Sequence, residues 1–123
     1  MRALVVDDSR TMRSILRHTL EKLGFDVVEA ENGRVALERI EQIEKPELAL
    51  VDWNMPEMNG LDFVRAVRAD DAYDGVLLMM VTTETDPNKI AAAMNAGAND
   101  FVTKPFTKEE IRHALVLHGL VSA

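Results

Sequence analysis

The chain has 123 residues, 47% hydrophobic and 28% charged, with no cysteine, which is enough for one domain with a real core, too short for two, and without disulfide or thiol chemistry. Its 14 Lys and Arg against 21 Asp and Glu give a net charge of −7 with no basic run, so a nucleic-acid footprint is not expected. The start, Met1 to Asp8, lacks the apolar core of a signal peptide, and no apolar stretch approaches the ~20 residues that span a bilayer, so one soluble, cytoplasmic domain over residues 1–123 is expected, with no membrane partner.

In chain order, Ala3–Val6 is a short apolar run ending in the acidic pair Asp7-Asp8. Ser9 offers an N-cap, and Met12, Ile15, Leu16, Leu20 and Leu23 recur at helical spacing up to Gly24, which fits the position just past a helix. Residues Phe25–Val28 can form a second strand, Asn32-Gly33 breaks the chain, and Ala36, Leu37, Ile40 and Ile43 mark one face of a second helix. Pro46 leads into Leu48-Ala49-Leu50-Val51, four unbroken apolar residues that read as a strand buried on both faces. Asp52 ends that run, just before the loop-forming Asn54 and Pro56.

Asn59 can cap a third helix with Leu61, Val64 and Val67 on its inner face. Gly75 precedes Val76–Val81, the longest apolar run, which contains the core pair Met79-Met80 and ends at Thr82-Thr83-Glu84. Asp86-Pro87 is a helix start, an N-cap followed by proline at the first helical position. The alanine-rich fourth helix, to Ala96, is held by Ile90, Met94 and small alanines and closed by Gly97. This light anchoring suits a two-state element, although alanine's helix propensity explains the composition equally well. Phe101-Val102 is a brief fifth strand ending at Thr103-Lys104-Pro105, and Thr107 with Glu110 forms a capping box for a last helix lined by Ile111, Ala114, Leu115 and His118. His18, His113 and His118 have no metal-ligand spacing and read as surface or packing residues.

Five strand–helix pairs with short connections predict an α/β fold: a parallel five-stranded sheet with helices on both faces. Right-handed crossovers leave few topologies, and known flavodoxin-like sheets supply the order 2-1-3-4-5. All strands of such a sheet end at one edge, where the first delivers Asp7 and Asp8, the third Asp52, the fourth Thr82 and the fifth Lys104. Singly, each has an ordinary reading as a cap, a turn, a strand end or a solvated lysine. Together they describe a crevice of three carboxylates, a hydroxyl and an ammonium.

Three close carboxylates repel one another unless one takes up a proton or a hard cation intervenes. Carboxylates, a backbone carbonyl and water suit Mg²⁺, with Asp8 and Asp52 as direct ligands, the Asn54 carbonyl as a third, and Asp7 acting through water. Lys104 and Thr82 suit the oxygens of a phosphoryl group, and an aspartate can be the nucleophile that carries one, here Asp52. Catalysis would then rest on in-line positioning and charge neutralisation.

The segments Val5-Val6-Asp7-Asp8, Thr11-Met12-Arg13, Asp52-Trp53-Asn54-Met55-Pro56, Met80-Val81-Thr82, Ala96-Gly97-Ala98 and Lys104-Pro105-Phe106 carry a resemblance across almost the whole chain. The sequence resembles the receiver domain of two-component response regulators, in the pattern of the stand-alone chemotaxis regulators. The resemblance implies that Asp52 accepts phosphate from a CheA-like sensor histidine kinase, with Mg²⁺ bound by Asp7, Asp8, Asp52 and the Asn54 carbonyl. It implies that Thr82 and Lys104 bind the phosphoryl oxygens, that the Lys104–Pro105 bond is cis, and that Asn54 and Glu84 tune hydrolysis. Phe101 matches an aromatic switch position, where those chemotaxis regulators carry tyrosine, so a partner's hydrogen bond to a phenolic hydroxyl is lost. Thr83 is larger than the alanine or glycine common at its position, which narrows access to the site.

The resemblance further implies a monomer that is not an enzyme beyond its own phosphorylation and dephosphorylation. Its partners would be the kinase, a phosphatase and a target protein bound through the fourth helix, fifth strand and fifth helix. A phosphorelay intermediate or phosphate sink is an alternative, as is a binding module independent of phosphorylation. A haloacid-dehalogenase-like phosphatase would need an aspartate where Asn54 stands, and a flavodoxin would need a hydroxyl- and glycine-rich loop where Asp7-Asp8-Ser9-Arg10 stands.

Overall fold

The computed structural model describes residues 1–122. Its elements in chain order are β1 (Arg2–Val6), α1 (Arg10–Lys22), β2 (Asp26–Ala30), α2 (Gly33–Gln42), β3 (Leu48–Val51), α3 (Gly60–Arg68), β4 (Leu77–Thr82), α4 (Pro87–Ala96), β5 (Asp100–Thr103) and α5 (Lys108–Leu117), with a single 3₁₀ turn at Asp71–Tyr73. The five strands form one parallel sheet, as the alternation of elements predicts, in the order β2-β1-β3-β4-β5 expected from known flavodoxin-like sheets.

Strand periodicity sorts the core into two layers. On one face of the sheet Ala3 and Val5 of β1, Leu48 and Leu50 of β3, and Met79 and Val81 of β4 meet Leu16 and Leu20 of α1 and Ile111 and Leu115 of α5. On the other, Leu4, Val6, Ala49, Val51, Leu78 and Met80 meet Ala36 and Ile40 of α2, Phe63, Val64 and Val67 of α3, and Ala93 of α4. A strand with both faces covered must be apolar throughout, which is why β3 reads Leu-Ala-Leu-Val without a break.

Side-chain caps set the helix starts. Ser9, Asn32, Asn59 and Asp86 accept backbone N–H groups of the first turns of α1 to α4, and Thr107 and Glu110 form the reciprocal box at α5. Gly24 and Gly97 take positive φ values of 95° and 122° just past α1 and α4, as expected of terminating glycines.

Several elements depart from the periodicity. The second strand begins at Asp26, not Phe25: the Phe25 N–H closes the end of α1 on Leu20 O (3.1 Å), and pairing with β1 starts only beyond it. Helix α2 stops at Gln42 and leaves Ile43 as an extended cap. The inner stripe of α3 is Gly60, Phe63, Val64 and Val67, with Leu61 only half-buried. Ile15 lies off the buried stripe of α1, and His118 is an exposed C-cap whose Nε2 lies 2.9 Å from Asp100 Oδ2. Met94 is 37% exposed, so Ala93 is the residue of α4 that anchors it.

Gly60 matters because of how closely α3 starts against the end of β3. A Cβ there would lie 2.4 Å from Asp52 O and 2.9 Å from Trp53 Cα, both backbone atoms with little freedom to yield. Gly60→Ala is therefore expected to destabilise the protein by about 1–3 kcal/mol, read as a lower urea midpoint. An unchanged midpoint would show that the end of β3 tolerates displacement.

Candidate functional site

The strand register assembles the site. Val6 of β1 pairs with Ala30 and with Val51 of β3, so Asp7 and Asp52 leave neighbouring strands at the same level. Their backbones stay in the ladder for one more bond each, Asp7 N–H to Ala30 O (3.1 Å) and Asp52 N–H to Val6 O (2.9 Å). On the far side, Thr82 pairs with Thr103, and Lys104 N–H donates to Thr82 O (2.8 Å). The Lys104–Pro105 bond is cis.

Asp7, Asp8 and Asp52 each bring a carboxylate oxygen to within 4.8 Å of the others, and Asp7 and Asp52 are only 1% and 7% exposed. Lys104 reaches in from β5: its Nζ lies 2.7 Å from Asp7 Oδ2 and 3.3 Å from Asp52 Oδ2. Asp7 Oδ1 also accepts the Ser9 N–H (2.9 Å). Asp52 Oδ1 is buried and has no hydrogen-bond partner among the described residues. The Thr82 hydroxyl, 2% exposed in residue terms, accepts the Glu84 N–H (3.1 Å) and makes no hydrogen bond to that oxygen.

Burial lifts the Asp52 carboxyl above the ordinary carboxylate range; the Lys104 ammonium opposes this and the Asp7 charge adds to it. Burial also acts against the Lys104 charge, but the hydrogen bond to Asp7 and the two carboxylates outweigh it and hold the ammonium above its usual value. One cation facing three acids, with one acid oxygen unpartnered, suits a hard divalent cation bound through oxygen ligands. The donor set present, carboxylates with loop backbone nearby, fits such an ion.

These positions mark the family. A model of the response regulator receiver domain matches residues 3–116. The chain belongs to that family. It is 45% identical over 116 residues to the chemotaxis protein CheY1 of Helicobacter pylori, covering 94% of each chain, and 45% identical to a Campylobacter jejuni chemotaxis protein CheY homolog, covering 94% of this chain and 89% of that one. Among solved structures it is similar to the chemotaxis response regulator CheY4 of Vibrio cholerae, with a TM-score of 0.87 and 36% identity over 94% of this chain and 96% of that one. Family membership supports phosphorylation-activated, two-component signalling.

The other residues singled out in this receiver domain lie around the cluster. Asn54 is exposed in the loop after Asp52, and Glu84, following β4, pairs with Lys89 of α4 (2.9 Å). Phe101 is 38% exposed on β5, at the edge of an apolar pocket lined by Trp53, Met80, Thr82, Ile90, Ala93 and Met94. Sequence reasoning missed Gly60 and the role of Arg13. The Arg13 guanidinium donates to the Asp7 carbonyl (2.7 Å), and the Thr11-Met12-Arg13 segment signalled family without revealing that contact. Among the described residues, no helix is long and apolar enough to cross a membrane.

Because the fold raises the Asp52 pKa, ionising Asp52 costs the metal-free protein stability. Asp52→Asn, similar in shape and uncharged, removes that burial cost while Lys104 keeps its pair with Asp7, and is expected to stabilise that state. In a chelator-treated sample this appears as a higher thermal midpoint; a lower one would mean that the Lys104–Asp52 pair outweighs the burial of the charge.

Proposed function

We propose that this receiver domain is a signalling switch that takes a phosphoryl group on Asp52 from a CheA-like sensor histidine kinase and then binds a target protein through its α4-β5-α5 face, in chemotaxis or motility. The observation that carries this reading is Asp52 itself: one carboxylate oxygen, Oδ2, faces the Lys104 ammonium at 3.3 Å, while the other, Oδ1, is buried and unpartnered among the described residues. Residues 1–123 are taken as one receiver domain acting as a cytoplasmic monomer.

In this reading an Asp52 carboxylate oxygen attacks phosphorus in line with the donor nitrogen. The P–O bond forms as the P–N bond to the kinase histidine breaks, and the imidazole retains the electron pair. Lys104 and the Thr82 hydroxyl bind the transferred oxygens. Asp8, Asp52 and the Asn54 carbonyl would hold Mg²⁺ directly and Asp7 through water, and the bound ion would supply neutralising charge at the phosphoryl oxygens. Asn54, in the loop after β3, and Glu84, just after β4, govern the approach of water to the acyl phosphate.

The route outward begins at Thr82. Turning its hydroxyl toward a phosphoryl oxygen gives up the bond from Glu84 N–H and so loosens the loop between β4 and α4. The apolar pocket that Thr82 and Phe101 both line is too small for a phenyl ring as it stands, so the Phe101 ring turns inward only as Thr82 vacates space, and that turn changes the shape of the exposed face.

Exposure to acetyl phosphate with Mg²⁺, read by intact mass, should add one phosphoryl group to the wild type and none to Asp52→Asn. Trp53, beside Asp52, should report Mg²⁺ binding by fluorescence; no mass gain and no fluorescence response in the wild type would defeat the switch and leave a phosphorylation-independent binding module. Phe101→Ala should take up beryllofluoride normally yet lose the beryllofluoride-dependent gain in affinity for the target. Undiminished gain would remove Phe101 from the output route.

A further inference from the structure

Asp8 differs from its two acidic neighbours. It is exposed, and its side chain makes no hydrogen bond or ion pair among the described residues. Asp7 is held by Lys104 and Ser9, and Asp52 by Lys104. What orients Asp8 before a ligand arrives is therefore its backbone, starting with the Asp7–Asp8 peptide.

That peptide has a dedicated support. Asp7 N–H is tied to Ala30 O at the end of β2, while Asp7 C=O accepts from Arg13 Nη1 at 2.7 Å. Arg13 comes from α1 and its side chain is only 15% exposed. Its Nε donates to Glu29 Oε1 (3.2 Å) on β2, and Arg17, one turn further along α1, donates to Glu29 Oε2 (2.6 Å). Arg39 of α2 donates to the Glu29 carbonyl. Glu29 is thus clamped from two helices, and it pairs in register with Val5, two residues before Asp7. A guanidinium can serve a carboxylate and a carbonyl at once because its N–H groups diverge in a rigid plane, a geometry that a lysine ammonium lacks.

We propose that Arg13 is a positioning residue: braced by Glu29, it fixes the Asp7–Asp8 peptide plane and so presents the Asp8 carboxylate to the divalent cation. The Glu29 clamp is the outer support of a site whose ligands lie one peptide away. Groups in that place orient ligands without touching the ion, and losing them typically weakens metal binding about 10–100-fold. This inference rests on the reading of Asp7, Asp8 and Asp52 as a cation site.

Isothermal titration calorimetry with MgCl₂ tests it on the full chain, comparing wild type with Arg13→Met, Glu29→Gln, their double variant and Arg68→Met. Arg68 is the control because it is another partly buried arginine that donates to backbone carbonyls, those of Gly97, Tyr73 and Val76, and makes no contact with the acidic cluster. Arg13→Met is expected to raise the Mg²⁺ dissociation constant about tenfold, Glu29→Gln to raise it by less, and the double variant to be no worse than Arg13→Met alone, since the two act in series. Arg68→Met is expected to lower the unfolding midpoint and leave Mg²⁺ affinity at the wild-type value. If Arg13→Met does not fold, Glu29→Gln alone decides. Wild-type affinity in the Arg13 and Glu29 variants overturns the proposal and leaves the cation site standing, as does an equal loss in Arg68→Met, which would reduce the effect to general loosening. No saturable binding by the wild type overturns the cation site and this proposal together.

Discussion

One ammonium shared between two buried carboxylates governs this end of the sheet. Lys104 touches Asp7 and Asp52 across the neighbouring strand ends, and it is the cation in ion-pair contact with the acidic cluster. Like charges at such separations interact strongly where water is excluded, so the arrangement holds only because the sheet enforces it. Parallel pairing of β1 with β3 sets Asp7 beside Asp52, and pairing of β4 with β5 brings Lys104 across from Thr82. A slip of one residue in either register would send these side chains to the opposite face.

The frustration that remains is chemically useful. Asp52 keeps one buried oxygen unpartnered, and Asp8 keeps a free carboxylate at the surface. An apolar core of two full layers supports this local cost, because β1 and β3 are buried on both faces. The acidic cluster thus lies at the rim of strands covered on both faces, the usual location of ligand sites in open α/β sheets.

The helix beside the site is held unevenly. Arg68 of α3 binds Gly97 O at the C-terminal end of α4, together with carbonyls leading into β4 and the Asn99 side chain. The first turn of α4, Pro87 to Lys89, is exposed, and Ala93 is the fully buried residue of that helix. Secure anchoring at one end and sparse apolar contact at the other favour motion of the end nearest Thr82 and Glu84. The acidic crevice thereby borders a helix whose firmer anchoring lies at its far end.

Much of this was legible in the sequence. Unbroken apolar runs ending in Asp52 and Thr82, the cap residues Ser9, Asn59, Asp86 and Thr107, and the glycines after α1 and α4 are local signals, and each element formed near its predicted place. Parallel alternation then implied that Asp7, Asp8, Asp52, Thr82 and Lys104 share one edge. Boundaries were less legible where a tertiary contact competes with periodicity, as when Phe25 closes α1 instead of opening β2. Helix faces differ from the pattern at Ile15, Leu61, Met94 and His118, because which side of a helix meets the sheet depends on its docking angle as well as its pattern. The need for glycine at Gly60, the reach of Arg13 to the Asp7 carbonyl and the unpartnered oxygen of Asp52 were invisible along the chain. Each is a distance between residues on different elements, and only the packing of α1 and α3 against the strand ends decides it.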